Sequence, residues 1–182
     1  MRRKWMKDAR RIGGRDAGWM DGTFGSRKVI FHTEGVDRGD NGNGGDARWL
    51  ARFVAGANTG YHFTYDRHGR ICQLYPANRA SRAMLAGSWS PNRQGVVAIQ
   101  VCFAGINSAR ELHDWPMHNW GKLLRFFDSW GVPRRTSVSW RHPNRRREDW
   151  RKSGYVSHAH APFNDHTHGG GVPIKRLLEW DR

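Results

Sequence analysis

The stretch VVAIQVCF, residues 96–103, is apolar at all but one position and rich in β-branched side chains. Such a run is typical of a strand buried on both faces in the middle of a sheet. A shorter apolar run over residues 28–32 predicts a second buried strand, which ends at His32. Residues 61–65 and 71–75 flank a polar, glycine-containing turn and predict a β-hairpin.

Helical patterns alternate with these strands. Asp46 predicts the N-cap of a helix that reaches about Gly56, and residues 117–130 carry an amphipathic stripe. Residues 174–180 predict a short closing helix. Strands that alternate with helices favour an α/β fold, so we expect a single domain with a central mixed β-sheet flanked by α-helices.

The charge is large and unevenly placed. The 31 Lys and Arg against 16 Asp and Glu give +15 over 182 residues, and residues 1–15 and 134–152 each contribute +6. We interpret residues 1–26 as a basic lead-in to a domain that spans residues 27–182. The excess indicates anionic partners, either nucleic acid or an acidic polymer such as a bacterial wall.

Composition also excludes several classes of protein. No run approaches the roughly 18 apolar residues of a membrane helix, and the basic start is not followed by the apolar segment of a secretory signal. We therefore expect synthesis in the cytoplasm. Cys72 and Cys102 are too few for a disulfide scaffold and are expected to be buried free thiols. A metal site in this chain must rely on histidine.

Four of the ten histidines fall within residues 158–168, just before a run of three glycines. Imidazole is the commonest biological zinc ligand, and a catalytic zinc takes three protein ligands and keeps one open position. Two ligands could come from this window and a third from elsewhere. His32 is the natural third, because it ends a buried strand. The histidines of the window are His158, His160, His166 and His168.

Three motifs follow one another along the chain. HTEG at 32–35 closes a strand, GYHF at 60–63 leads into the hairpin, and the histidine window follows near the end. In this order they resemble the type-2 N-acetylmuramoyl-L-alanine amidases, a zinc family that includes phage endolysins and peptidoglycan recognition proteins. The resemblance covers roughly residues 27–180. It implies the α/β fold of that family.

The resemblance also implies a ligand set. Members usually bind zinc through a strand-end His and a later His that is followed ten residues on by Asp or Cys. The matching positions here are His32, His158 and His168. His168 departs from the pattern, because a neutral imidazole replaces an anionic ligand and leaves the site more positive.

Catalytic residues follow in the same way. Tyr61 matches a tyrosine beside the zinc, and His166 stands where the family often has the lysine that stabilises the oxyanion. Side chains alternate along a strand, so His62 should face away from the metal. Some relatives carry a Glu on the central strand, at the position of Cys102. We therefore expect Tyr61 and His166 to handle the protons.

Taken together, the resemblance implies a monomeric, Zn²⁺-dependent enzyme that hydrolyses the amide bond between N-acetylmuramic acid and L-alanine in peptidoglycan. It also implies an endolysin that waits in the host cytoplasm and acts on the cell wall at lysis. The partners would be peptidoglycan and anionic wall polymers. We interpret the two basic segments as a salt-sensitive device for wall adhesion.

Two alternatives remain open. Trp140 and Trp150, interleaved with arginines at 141 and 145–147, could stack bases and grip phosphates in a nuclease or nucleic-acid binder. That reading is less favoured, because no signature of a nucleic-acid-binding fold is present. The other alternative is a peptidoglycan-binding module without catalysis, since such relatives typically lose a zinc ligand and this chain departs from the pattern at His168.

Overall fold

A six-stranded mixed sheet forms the centre of the computed structural model, which describes residues 2–34, 45–84, 91–106, 109–136, 147–162 and 171–180. The strands are β1 (Arg10–Arg11), β2 (Arg27–Glu34), β3 (Phe63–Tyr65), β4 (Ile71–Gln73), β5 (Val97–Ala104) and β6 (Gly154–Ser157). Their order across the sheet is β1-β4-β3-β5-β2-β6. The β3–β4 pair is antiparallel, and the other neighbouring pairs are parallel.

The predicted central strand is confirmed. Every residue of β5 is buried, and β5 pairs with β2 along its whole length, from Arg27 opposite Val97 to Glu34 opposite Ala104. The hairpin is confirmed as β3 and β4, although its strands are shorter than the sequence pattern indicates. The α/β fold class with a mixed central sheet is therefore correct.

The helices are α1 (Ala47–Gly56), α2 (Trp120–Ser129), α3 (Arg147–Trp150) and α4 (Ile174–Glu179). The Asp46 side chain caps α1 as predicted and accepts hydrogen bonds from the first-turn backbone. The predicted start of α2 at residue 117 is wrong by three residues. Met117 and Asn119 both have positive φ, 48° and 61°, which breaks the helical backbone before Trp120.

The two faces of the sheet pack against different helices. Phe31, Phe63 and Val101 belong to the large core that includes the buried side of α2. On the opposite face, α1 packs over a smaller cluster that contains Cys72 and Cys102. His32 pairs with Cys102 across β2 and β5, and paired residues of parallel strands share a face. The predicted zinc ligand therefore lies on the α1 face.

The basic lead-in packs directly on the sheet. Arg10 and Arg11 form β1 and pair with Cys72 and Gln73 at the sheet edge. Met6 is 4% exposed, and its backbone N–H donates to Gln73 Oε1 at 2.8 Å. The boundary at residue 27 stays a prediction, but this part of the lead-in belongs to the same sheet as the domain.

The cysteines are buried free thiols, as expected. Thr64 of β3 pairs with Cys72 on one side and with Cys102 on the other. One strand therefore separates the two cysteines, and neighbouring strands lie about 4.8 Å apart. The resulting separation of roughly 10 Å is too long for a disulfide. None of the helices in the described ranges is long and apolar enough to cross a membrane.

Candidate active site

The register of β2 and β6 brings two predicted zinc ligands together. Phe31 pairs with Ser157, so His32 and His158 follow side by side at the carboxyl ends of two parallel strands. Their ring centroids are 4.6 Å apart. Both side chains are buried, at 2% and 8% exposure. Residues 126 positions apart in the chain therefore present two imidazoles at one edge of the sheet.

A tight turn fixes the position of His158. The strand β6 ends at Ser157, and a single 3-10 turn over His158–His160 follows at once. The ring of His160 folds back on Ser157: its Nδ1 accepts from the Ser157 backbone N–H at 3.2 Å and lies 2.8 Å from the Ser157 hydroxyl. This reciprocal cap holds the turn on the end of the strand. His160 therefore supports the site through its Nδ1 while His158 faces His32.

Tyr61 packs against the His32 ring. The ring centroids of Tyr61 and His32 are 4.8 Å apart. The phenol donates a hydrogen bond to Glu34 Oε2 at 2.8 Å. Burial raises the pKa of Tyr61 well above its ordinary value, and the neighbouring Cys102 and Glu34 raise it further. The phenol is therefore a protonated donor at neutral pH.

Glu34 was not among the predicted site residues. It lies two residues after His32 on β2, so the pleat points both side chains to the same face of the sheet. Glu34 supplies a carboxylate beside the tyrosine from β2, whereas Cys102 occupies the central strand. The sequence analysis did not single out this carboxylate, and the roles expected for Tyr61 and His166 stay predictions. The two-residue spacing from His32 was the available signal.

Cys102 lies next to this pair and is fully buried. Burial raises the pKa of the Cys102 thiol well above its ordinary value, and Glu34 raises it further. A thiol in this environment stays protonated and is a poor nucleophile. Cys102 therefore packs beneath the site.

His62 bonds to backbone groups and packs edge-on against Tyr75, and its predicted orientation away from the metal stays a prediction. Its ring is fully buried; Nδ1 accepts from the Gln100 backbone N–H at 3.0 Å, and Nε2 donates to the Arg79 carbonyl at 2.7 Å. Both ring nitrogens are engaged with backbone groups, so the imidazole is neutral. Burial lowers the pKa of His62 to about 4.

This depressed pKa predicts a pH-dependent stability. The unfolded chain binds a proton near pH 6.5, whereas the folded chain resists protonation until about pH 4. Stability is therefore lost as the pH falls through this window, by about 2 kcal/mol at pH 5. Urea unfolding of His62→Gln at pH 7.5 and pH 5 should show a correspondingly smaller acid loss than wild type. The exposed His68, replaced by Gln, should retain the wild-type loss; equal losses in all three proteins would contradict this assignment.

The remaining predicted residues fall outside the part of the chain that the structure describes. His166 and His168 lie within residues 163–170. Among the described residues, no group of three histidine, cysteine or acidic side chains could hold a metal ion. Two of the three predicted ligands are thus brought together with Tyr61. The third ligand and the oxyanion donor stay predictions.

Comparison with known proteins gives the architecture an independent reference. No family model matches the chain, and no curated protein matches its sequence. Among solved structures, PlyL superposes with a TM-score of 0.61 at 10% identity and covers 96% of this chain and 98% of its own. AmpD gives 0.52 at 15% identity and covers 98% of both chains.

A third similar structure is the endolysin N-acetylmuramoyl-L-alanine amidase LysCS from Clostridium intestinale, with a TM-score of 0.50 at 14% identity. The superposition covers 96% of this chain and 95% of LysCS. The similarity thus extends over nearly the whole of each chain. The resemblance seen in the sequence is confirmed at the level of architecture: this chain shares its fold with PlyL, AmpD and the amidase LysCS.

Proposed function

We propose that this chain is a zinc-dependent N-acetylmuramoyl-L-alanine amidase that cleaves the bond between N-acetylmuramic acid and L-alanine in peptidoglycan. One observation carries the proposal. The His32 and His158 rings lie 4.6 Å apart at the carboxyl edge of an amidase-like sheet, directly beside the Tyr61–Glu34 hydrogen bond. Paired imidazoles can hold a metal ion, and a phenol and a carboxylate beside them can serve as proton donor and acceptor in metal-assisted hydrolysis of an amide.

The donor set fits zinc. His32 and His158 offer neutral nitrogen ligands from two rigid strand ends, and ring centroids 4.6 Å apart suit two imidazoles that converge on one ion. We assign the third position to His168. Bound there, the ion would supply Lewis-acid activation of an amide carbonyl and of water. Cys102 is not proposed as a ligand, because it belongs to no group of three described side chains that could hold a metal ion.

The protein side chains then handle the protons. Hydrolysis of an amide removes a proton from the attacking water and delivers one to the departing amine nitrogen. Glu34 can accept the first proton on a carboxylate oxygen and return it to the amine. Tyr61 donates to Oε2 and so orients this carboxylate at the site. We assign to His166 the hydrogen bond that stabilises the oxyanion.

The proposal includes the setting of an endolysin, which lyses a bacterial host from within.

The nucleic-acid alternative loses part of its support. Trp150, one of the two tryptophans that suggested base stacking, is 1% exposed, and the Lys28 ammonium lies 4.9 Å from its ring centroid. A ring held in this way inside the protein cannot stack on a base.

The deciding experiment is digestion of purified peptidoglycan followed by mass analysis of the new chain ends. We expect new L-alanine amino termini, no increase in saccharide reducing ends, loss of activity with a chelator and recovery with added zinc. Reducing ends alone would indicate a glycosidase. Firm wall binding without new termini would indicate the non-catalytic module and overturn the proposal.

A further inference from the structure

The lead-in and α2 together form a strongly basic cleft. It consists of two adjoining depressions of about 630 and 640 Å³, which share Trp5 and Met6 in their walls. Among the residues that line it, Asp8 is the single acid. We call this surface the basic cleft; its positively charged lining is Arg2, Arg3, Lys4, Lys7, Arg11, Lys122 and Arg125.

The backbone beneath these charges is fixed. The Lys4 carbonyl accepts hydrogen bonds from the Gln73 side-chain amide at 3.1 Å and from the Ala77 backbone N–H at 3.0 Å. The Arg3 carbonyl accepts from the Trp130 indole at 3.1 Å. The buried side chain of Met6 anchors the residues that follow. The charges therefore project from an ordered surface, which lowers the entropic cost of binding a ligand.

The cleft lies away from the candidate active site. Phe126, part of its wall, belongs to the core on the α2 face of the sheet, as does Met6. His32 and Tyr61 lie on the α1 face at the carboxyl edge of the strands. A polymer bound in the basic cleft therefore leaves the active site open to substrate.

We propose that the basic cleft binds a phosphate-bearing polymer of the bacterial wall and holds the enzyme on its substrate; the choice of a wall polymer rests on the proposed function. Arg and Lys side chains are the groups that proteins use to bind phosphate. The Arg11 guanidinium covers the Trp5 ring at 4.9 Å from its centroid. A ring engaged in this way is poorly placed to stack on bases, which favours a polymer without bases over nucleic acid.

The test compares two triple variants that remove the same charge. Arg3→Gln, Lys7→Gln and Lys122→Gln change the cleft, whereas Arg15→Gln, Arg67→Gln and Lys175→Gln change exposed residues that do not line it. Sedimentation with insoluble walls measures binding between about 50 and 500 mM salt. The walls are used intact, and also after chemical removal of their phosphate polymers.

We expect the cleft variant to bind intact walls roughly tenfold more weakly than wild type at low salt, and the difference to shrink at high salt. The control variant should stay within about twofold of wild type. On stripped walls, wild type and the cleft variant should bind alike. Equal losses in both variants would reduce the effect to net charge and overturn the proposal, as would undiminished wild-type binding to stripped walls.

Two further measurements separate the possibilities. If a single-stranded oligonucleotide displaces wild type from intact walls better than inorganic polyphosphate does, the cleft is a nucleic-acid site and the proposal fails. Release of L-alanine amino termini from soluble wall fragments that lack phosphate polymers tests the amidase activity alone. Failure of that assay counts against the proposed enzyme, and loss of cleft-dependent sedimentation counts against the polymer site.

Discussion

Replacing His32 or His158 with alanine is expected to remove the bound zinc and to lower amidase activity by at least about a thousandfold. The two rings converge at one strand edge, so loss of either removes a ligand that no neighbouring described side chain is placed to replace. A bound metal ion lowers the activation barrier by several kcal/mol, and each 1.36 kcal/mol corresponds to about a tenfold change in rate. Metal content by mass spectrometry and turnover on purified walls measure the two effects.

A matched control is available in His68, which is exposed in the turn between β3 and β4. His68→Ala should retain about one zinc per chain and wild-type turnover. A thermal unfolding curve should be measured for each variant, because His32 is 2% exposed and its truncation leaves a void that could destabilise the fold. Folded variants of both His32 and His158 that keep stoichiometric metal would contradict the ligand assignment, whatever their activity.

Tyr61→Phe and Glu34→Gln are expected to keep zinc and to lower kcat by roughly a hundredfold each, because one removes the group that orients the proton acceptor and the other removes the acceptor itself. Both changes preserve shape, so the substrate concentration at half-maximal rate should change little. The phenol donates to the carboxylate at 2.8 Å, and the two groups therefore act as a unit. The kcat of the double variant should be only slightly below that of the less active single variant.

Tyr155→Phe provides the control for a lost phenol. Tyr155 packs against Phe31 and Phe127 on the other face of the sheet, so removal of its hydroxyl should leave kcat unchanged. Fully multiplicative losses in the Tyr61 and Glu34 double variant would show that the two groups act separately. Wild-type kcat in Glu34→Gln would remove Glu34 from the mechanism and return proton handling to Tyr61 and His166.

The strands that could be predicted from the sequence are those with a strong burial signal. β5 and the centre of β2 are apolar, as is typical of strands that are covered on both faces. β1 gave no such signal, because its two residues are exposed arginines that join the sheet through backbone pairing. The start of α2 was misplaced because left-handed residues do not alter hydrophobic periodicity.

The site shows the same division. That His32 and His158 meet could be expected, because His32 ends an apolar strand and the resemblance to the amidases selects His158 from the histidine window. The Tyr61–Glu34 hydrogen bond could not be read from local pattern, because its partners are 27 residues apart and meet only once the strand order is known. The turn over His158–His160 likewise depends on a ring that folds back on Ser157.

The pairing of β2 with β6 also has a consequence for the timing of synthesis. β6 is the last of the six described strands, and until it emerges from the ribosome, the β2 edge that it covers is open and His32 lacks its neighbouring imidazole. The nascent chain therefore carries an incomplete sheet and an incomplete site through most of its production. Pairing of β6 with β2 and assembly of the two imidazoles coincide, so a fragment that stops before Gly154 should be prone to aggregation and should lack the paired imidazoles.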